Sequence, residues 1–323
     1  MVSAVELATA IDTMLDRTVA LGYGDIGVRV RRHLAGWPAD PPRMDGKVVV
    51  VTGAASGIGL AACRGFAQLG ASVRAVARDE DRAGDAVKQI REVQPTADVR
   101  GLGCDVARLQ ALRSLAERLN AEEEHLDVLV NNAGTMPDRR ERSADGHEVM
   151  FATHVLAPFA LISWLTELLG HSAPSRVINV SSGGMYGQSL PAKDFQSEDT
   201  RYSSKKLYAR TKREQVVITE LWAEALAPRG IVVHAMHPGW VDTKGVREWL
   251  PVFRALTGSI IRSPEEGADT IVWLGGAPEA LKVTGLFWHD RRARPTHYLL
   301  GASDDDPMDR RRLWDVCQSL INA

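Results

Sequence analysis

The sequence predicts a single α/β domain built on one doubly wound, mostly parallel sheet of seven strands with helices on both faces. Two observations predict it. From Lys47 onward, short β-branched runs alternate with longer helical patterns, as in βαβ units whose sheet is covered on both sides. The first strand run, Lys47-Val48-Val49-Val50-Val51, leads directly into a glycine turn and then an apolar helix.

Residues 1–43 read as a weakly patterned N-terminal extension that ends in the breakers Pro38, Pro41 and Pro42. Strands are expected at 47–52, 72–77, 98–103, 127–131, 175–181, 231–237 and 283–288. Helices are expected at 57–70, 79–93, 106–120, 144–170, 205–228, 264–275 and 309–321. Strands with intervening helices at this density make one sheet, so residues 44–323 are read as one unit, with a substrate-binding segment at 240–262. The longest apolar stretch, Val149 to Leu169, carries His154, Pro158 and Glu167, which favours a buried helix over a membrane span. In the extension, Val28, Val30, Leu34 and Trp37 sit among Arg29, Arg31, Arg32 and His33. That mixture suits either a peripheral contact at an anionic membrane surface, through residues 26–37, or docking on the chain's own domain.

With 45% hydrophobic and 25% charged residues in 323, the composition is that of a soluble globular protein. The 39 Lys and Arg against 41 Asp and Glu leave a net charge of -2, so no broad cationic field exists to attract nucleic acid. Cys63, Cys104 and Cys317 are too few and scattered for a disulfide framework or a zinc site, which predicts a reducing, cytoplasmic setting and no metal. The first ten residues hold Glu6 and no Lys or Arg, a pattern unlike a cleaved secretory signal.

The turn reads Thr52-Gly53-Ala54-Ala55-Ser56-Gly57-Ile58-Gly59. Gly53 allows a sharp turn, Gly57 a close backbone approach to a pyrophosphate, and Gly59 tight packing of helix on strand. The helix start then offers free N–H groups, with Ser56 and Ile58 beside them, to phosphate oxygens. A second group of chemically capable residues follows the buried strand pattern Val177-Ile178-Asn179-Val180, where Ser181 and Ser182 stand at the sheet's C-terminal edge. Two Tyr-x-x-x-Lys pairs come next, Tyr202 with Lys206 and Tyr208 with Lys212, each on one helix face. The face of Tyr208 continues into Val216, Thr219 and Ala223 and suits packing on the sheet, whereas the face of Tyr202 continues into Arg210 and Arg213.

The spacing Thr-Gly, three residues, Gly-x-Gly, with these later motifs, resembles the classical short-chain dehydrogenase/reductase superfamily of Rossmann-type proteins over roughly residues 44–300. The runs Ser181–Met185, Tyr208–Val217 and Met236–Trp240, with the tail at Trp288, Asp290, Arg291, Thr296 and His297, are similar to its member-12-like subgroup. The resemblance implies an oxidoreductase. In it, Ser182 orients the substrate oxygen, Tyr208 exchanges the proton, and Lys212 lowers the phenol's pKa and holds the nicotinamide ribose. It also implies that Asn132, Ala133 and Gly134 line the adenosine side and that Asp105 meets the adenine amino group. Pro238, Gly239 and Thr243 then belong to the loop that holds the nicotinamide carboxamide. His154 stands where the family has a catalytic asparagine, and is expected either to serve the proton relay or to be a satisfied core histidine.

The second strand ends Val76-Ala77-Arg78-Asp79, with Ala77 where an NAD-type acid is expected and a guanidinium next to it, which predicts NADP(H) over NAD(H). Asp79 can instead cap the next helix or pair with Arg78. Met185, Tyr186, Trp240 and the segment 246–253, with Trp249, are expected either to line a pocket for a lipophilic alcohol or carbonyl compound or to pack a subunit interface. The helices of His154 and Tyr208 resemble those that pair family members, which predicts a homodimer or homotetramer. A non-catalytic dinucleotide sensor and a membrane-surface scaffold are the competing readings.

Overall fold

Valine-rich runs buried on both faces set the centre of the sheet. The computed structural model describes residues 3–249, 257–258, 260–298 and 305–323. In it β1 (Val48–Thr52), buried at every position, pairs in parallel with β2 (Ser72–Ala77) and β4 (Val128–Asn131). Outward from β2 lies β3 (Val99–Gly103), and beyond β4 lie β5 (Ser175–Val180), β6 (Ile231–Met236) and β7 (Phe287–His289), all parallel. A short antiparallel strand, β8 (Arg292–Arg294), closes the order β3-β2-β1-β4-β5-β6-β7-β8. The described residues thus form eight strands, not the seven expected, because Arg-Ala-Arg carries no apolar run to announce it. β7 starts at Phe287 rather than 283, since Gly285 takes a left-handed φ of 76°.

The extension is not weakly structured. It forms α1 (Ala4–Arg17), α2 (Val19–Tyr23) and α3 (Asp25–Arg32). A reciprocal capping box starts α1, with the Glu6 N–H donating to Ser3 Oγ and the Ser3 N–H to Glu6 Oε2. The buried face of α1 holds Ala8, Asp12, Leu15 and Asp16, so buried carboxylates interrupt the apolar period that would have revealed the helix. Asp12 bonds Arg31 at 2.7 Å and Arg294 at 2.8 Å. In the 26–37 segment Val28 and Arg31 are buried and Trp37 lies 5.1 Å beneath the Arg291 guanidinium, leaving Ile26 and Val30 exposed.

Helices α4 (Gly57–Gln68), α5 (Glu80–Val93) and α6 (Leu109–Glu122) alternate with the first strands. The expected helix at 144–170 is α7 (Val149–Phe151), a π-helical turn (Ala152–Leu156), α8 (Ala157–Trp164) and α9 (Thr166–Gly170). It begins only at Val149 because Glu148 caps it, accepting from the Phe151 N–H at 2.8 Å. The chain continues through α10 (Ser204–Leu226), α11 (Lys244–Trp249), α12 (Pro264–Gly276) and α13 (Pro307–Asn322). Alternate valines of β1 feed opposite cores. Val49 and Val51 pack with Phe66 of α4 and Trp273 of α12, and Val48 and Val50 belong to the core of α6, α8 and α10.

α13 lies across α8 and α10. Trp314 meets Phe159 edge-on at 4.9 Å and Trp222 at a tilt at 4.6 Å between ring centres, and Leu313, Cys317 and Ile321 are buried. The long helices expected to pair subunits are therefore covered along Phe159 and Trp222 by the chain's own C-terminal helix. No helix among the described residues is long and apolar enough to cross a membrane.

Candidate active site

A cleft of about 870 Å³ opens at the carboxyl edge of the sheet, where β1 and β4 diverge in connection. Topological switch points of this kind are where open α/β sheets bind ligands. The Gly53, Ser56, Gly57, Ile58 and Gly59 turn forms one wall. Gly53 and Gly57 hold φ of 68° and 55°, a region L side chains rarely adopt. A Cβ on Gly59 would sit 2.3 Å from Gly53 O and 2.5 Å from Asn132 Nδ2. Ser56, the N-cap of α4, makes no side-chain cap bond, so the first N–H groups of that helix stay available at the cleft. Thr52 Oγ1 accepts from both Asn132 N–H and Ala133 N–H, and Asn132 Nδ2 donates to Thr52 O at 2.9 Å, which locks the β1 and β4 ends together. This wall fits a dinucleotide pyrophosphate.

Across the cleft stand Ser182, Tyr208 and Lys212, all lining it. Ser182 follows β5 and caps a 3₁₀ turn, Gly183–Gly187, accepting from Gly184 N–H at 3.2 Å. Burial raises the Tyr208 phenol above its ordinary value, and the neighbouring Ser182 hydroxyl opposes the rise. The Lys212 ammonium lies 5.8 Å from the Tyr208 ring centre and donates to Val180 O at 2.7 Å and Gln215 Oε1 at 3.1 Å. Burial pushes its pKa down to about 7. Here Lys212 is anchored to the strand end, and burial dominates the phenol. The rival Tyr202 lies outside this cleft, its hydroxyl on Pro137 O and the Arg140 guanidinium 5.5 Å over its ring.

His154 sits in the π-helical turn, buried behind the cleft wall and not among its lining residues. Its Nε2 accepts the Thr135 N–H at 3.0 Å, and its Nδ1 lies 2.8 Å from Thr211 Oγ1, which donates to Tyr208 O. Accepting at Nε2 requires the neutral ring with its proton on Nδ1. Burial and Lys212 hold its pKa well below the ordinary value, in keeping with that state. The ring stands edge-on to Tyr208 at 5.4 Å. The geometry is that of a satisfied core histidine that braces the tyrosine's helix.

At the end of the cleft beside β2 and β3, Arg78, Asp105, Asn132, Ala133 and Gly134 line it. Asp79 caps α5 by accepting from Arg82 N–H at 2.9 Å and pairs with Arg82, so it does not engage Arg78. Arg82, in the first turn of α5, and Arg108 also reach this end, and neither was singled out from the sequence. On the opposite side Pro238, Gly239, Trp240 and Thr243 line the cleft, and Thr243 Cγ2 lies 3.1 Å from where a Cβ on Gly57 would be.

Two expected pocket residues are corrected. Met185 turns inward from the 3₁₀ turn and packs with Val216, Ala235 and Phe287. Tyr186 donates to Pro295 O at 2.8 Å and stacks 4.3 Å from Tyr298. Neither lines the cleft. The side chain of Trp249 lies outside the described residues, as do residues 250–253 of the expected pocket segment.

A glycine cradle at the sheet's switch point facing a serine, tyrosine and lysine defines a nucleotide-binding α/β oxidoreductase. The sequence profile described as short chain dehydrogenase matches residues 47–251, and the chain belongs to the short-chain dehydrogenase/reductase family. It is 39% identical over 280 residues to dehydrogenase/reductase SDR family member 12 of Bos taurus, covering 86% of this chain and 87% of that protein. This bears out the member-12-like resemblance. To retinol dehydrogenase 14 of Homo sapiens it is 33% identical over 315 residues, 92% of each chain. Among solved structures, the Pseudomonas aeruginosa RhlG/NADP active-site complex matches with a TM-score of 0.64 at 25% identity, over 76% of this chain and 94% of that one. The protein is an oxidoreductase of alcohols and carbonyl compounds.

Proposed function

We propose that the protein is an NADP(H)-dependent enzyme that interconverts a lipophilic alcohol and its carbonyl compound, with Tyr208 as the acid/base. The observation that carries this reading is that the Ser182 hydroxyl, the Tyr208 phenol and the buried Lys212 line one cleft together with the glycine turn. When bound, the nicotinamide supplies or takes the hydride. The two hydroxyls orient the substrate oxygen, and Tyr208 passes it a proton in the reductive direction. Lys212, tied to Val180 O, offers its remaining donor capacity to the cleft. Pro238, Gly239 and Thr243 would hold the nicotinamide half, with Trp240 walling an apolar substrate.

NADP(H) preference is supported by Arg78, an exposed guanidinium at the adenosine end with no ion pair among the described residues, and by Ala77 in place of an acid. The buried free thiols of Cys63, Cys104 and Cys317 suit a reducing, cytoplasmic setting. Exposed Ile26 and Val30 leave room for a peripheral membrane contact, and any homo-oligomer would use a surface other than the one α13 covers.

The test uses all-trans-retinal with NADPH, chosen because relatives are named retinol dehydrogenases. Tyr208→Phe is expected to bind NADPH as the parent does and to lose at least about 100-fold in turnover. Arg78→Ala is expected to lower the NADPH-to-NADH affinity ratio at least about tenfold. Normal turnover by Tyr208→Phe would move the proton chemistry to another residue. Tight NADPH binding by the parent without turnover of any aliphatic, retinoid, steroid or aromatic carbonyl would favour a dinucleotide sensor.

A further inference from the structure

Resting on the dinucleotide reading of the cleft, we propose that Tyr23 of the N-terminal helices is a positioning residue that fixes two cleft loops, Ser182–Gly184 and Pro238–Thr243, against each other. Tyr23 ends α2 and is buried. Its carbonyl accepts the Trp240 N–H at 2.8 Å. Its ring lies 4.5 Å from the His237 ring and 6.3 Å from Trp240. A Cβ on Gly183 would fall 2.5 Å from Tyr23 Cε2. Gly239, with φ of 78°, would place a Cβ 2.5 Å from Tyr23 O and 2.7 Å from Arg262 Nε. One residue of the extension therefore requires glycine in both loops.

The chain on either side of Tyr23 is held by buried charge. Gly22 O accepts from Arg31 Nη1 at 2.7 Å and Arg262 Nη2 at 3.0 Å, and Gly24 O accepts from Arg262 Nε at 3.0 Å. Arg262 Nη1 also donates to Pro238 O at 3.2 Å, so one planar guanidinium ties α2 to the cleft loop directly. Asp290 bridges the two arginines, accepting from Arg31 and from Arg262 at 2.6 Å each, and Asp12 gives Arg31 a second carboxylate at 2.7 Å. The Pro238–Thr243 loop reaches on to the glycine turn at Gly57. Arg78 and Asp105, by contrast, follow β2 and β3 at the far end of the cleft. Loosening Tyr23 should thus disturb the nicotinamide half of a bound dinucleotide and spare the adenosine half.

Calorimetry on the full chain compares NADPH and NADH with their adenosine halves, adenosine 2′,5′-bisphosphate and AMP. Tyr23→Ala is expected to weaken dinucleotide binding about tenfold or more while leaving the adenosine halves within about twofold. Tyr23→Phe, which keeps ring and backbone, is expected to bind all four as the parent does. If Tyr23→Ala does not fold, Gly183→Ala, which pushes the same contact apart, carries the test. Unchanged dinucleotide affinity in the alanine variants, or equal loss for dinucleotides and adenosine halves, overturns the proposal. A parent protein that binds none of the four overturns the dinucleotide reading itself, and this proposal with it.

Discussion

Glu214 lies on α10 two residues beyond Lys212 and is fully buried, and neither carboxyl oxygen has a hydrogen-bond partner among the described residues. Arg210 Nε lies 3.9 Å away, too far for a hydrogen bond. Burial therefore raises its pKa well above the usual carboxylate value, against the weaker pull of Arg210. Above that usual value the unfolded chain releases a proton that the folded chain keeps, so the group costs stability as pH rises. Glu214→Gln is expected to raise stability at pH 8 by about 1–3 kcal/mol and to change nothing at pH 4, read from urea unfolding. An equal effect at both pH values would show that the carboxyl ionises freely in place. The same scale explains what the sequence could and could not reveal about the site. Ser182, Tyr208 and the glycines were legible because spacing fixes their place on a strand end or helix face. Met185 and Tyr186 were not, because a 3₁₀ turn sets their direction and no periodicity encodes it.

Among the elements, runs such as Val48–Val51 and the helical periods between strands were readable, because continuous apolar stretches have few other uses in a soluble chain. The N-terminal helices escaped because charge is what they bury, with Asp12, Asp16 and Arg31 in positions a pattern search reserves for apolar side chains. α13 was expected, but its seat was not. It covers Phe159 of α8 and Trp222 of α10 with Trp314, Leu313 and Ile321. Removing residues 305–323 should uncover an aromatic patch that water cannot satisfy, and sedimentation velocity is expected to find concentration-dependent association in the truncated chain. A truncated chain that stays as dispersed as the parent would mean that this face is not adhesive.

Over the whole molecule, charge burial sets the response to acid. His154, His234, His237 and His289 are all buried with pKa values pushed below the ordinary one, His289 to about 3. Below about pH 6.5 the unfolded chain takes up protons that these rings refuse, so each removes up to about 1.4 kcal/mol per pH unit. Glu148 and Glu214, whose pKa values are raised, act in the opposite direction over the same range. The four histidines outnumber the two glutamates among the described residues, so stability falls on balance as pH drops from 6.5 to 5. Urea midpoints should fall steeply across that interval, and a flat profile would mean that the histidines are charged in the native state.

The bond between Arg31 and Asp290 joins residues 259 apart in the chain. During synthesis α1 to α3 leave the ribosome long before the carboxylate that anchors them is made. That contact cannot form until residue 290 has been made, so the segment that braces the cleft depends on a carboxylate synthesised long after its own helices.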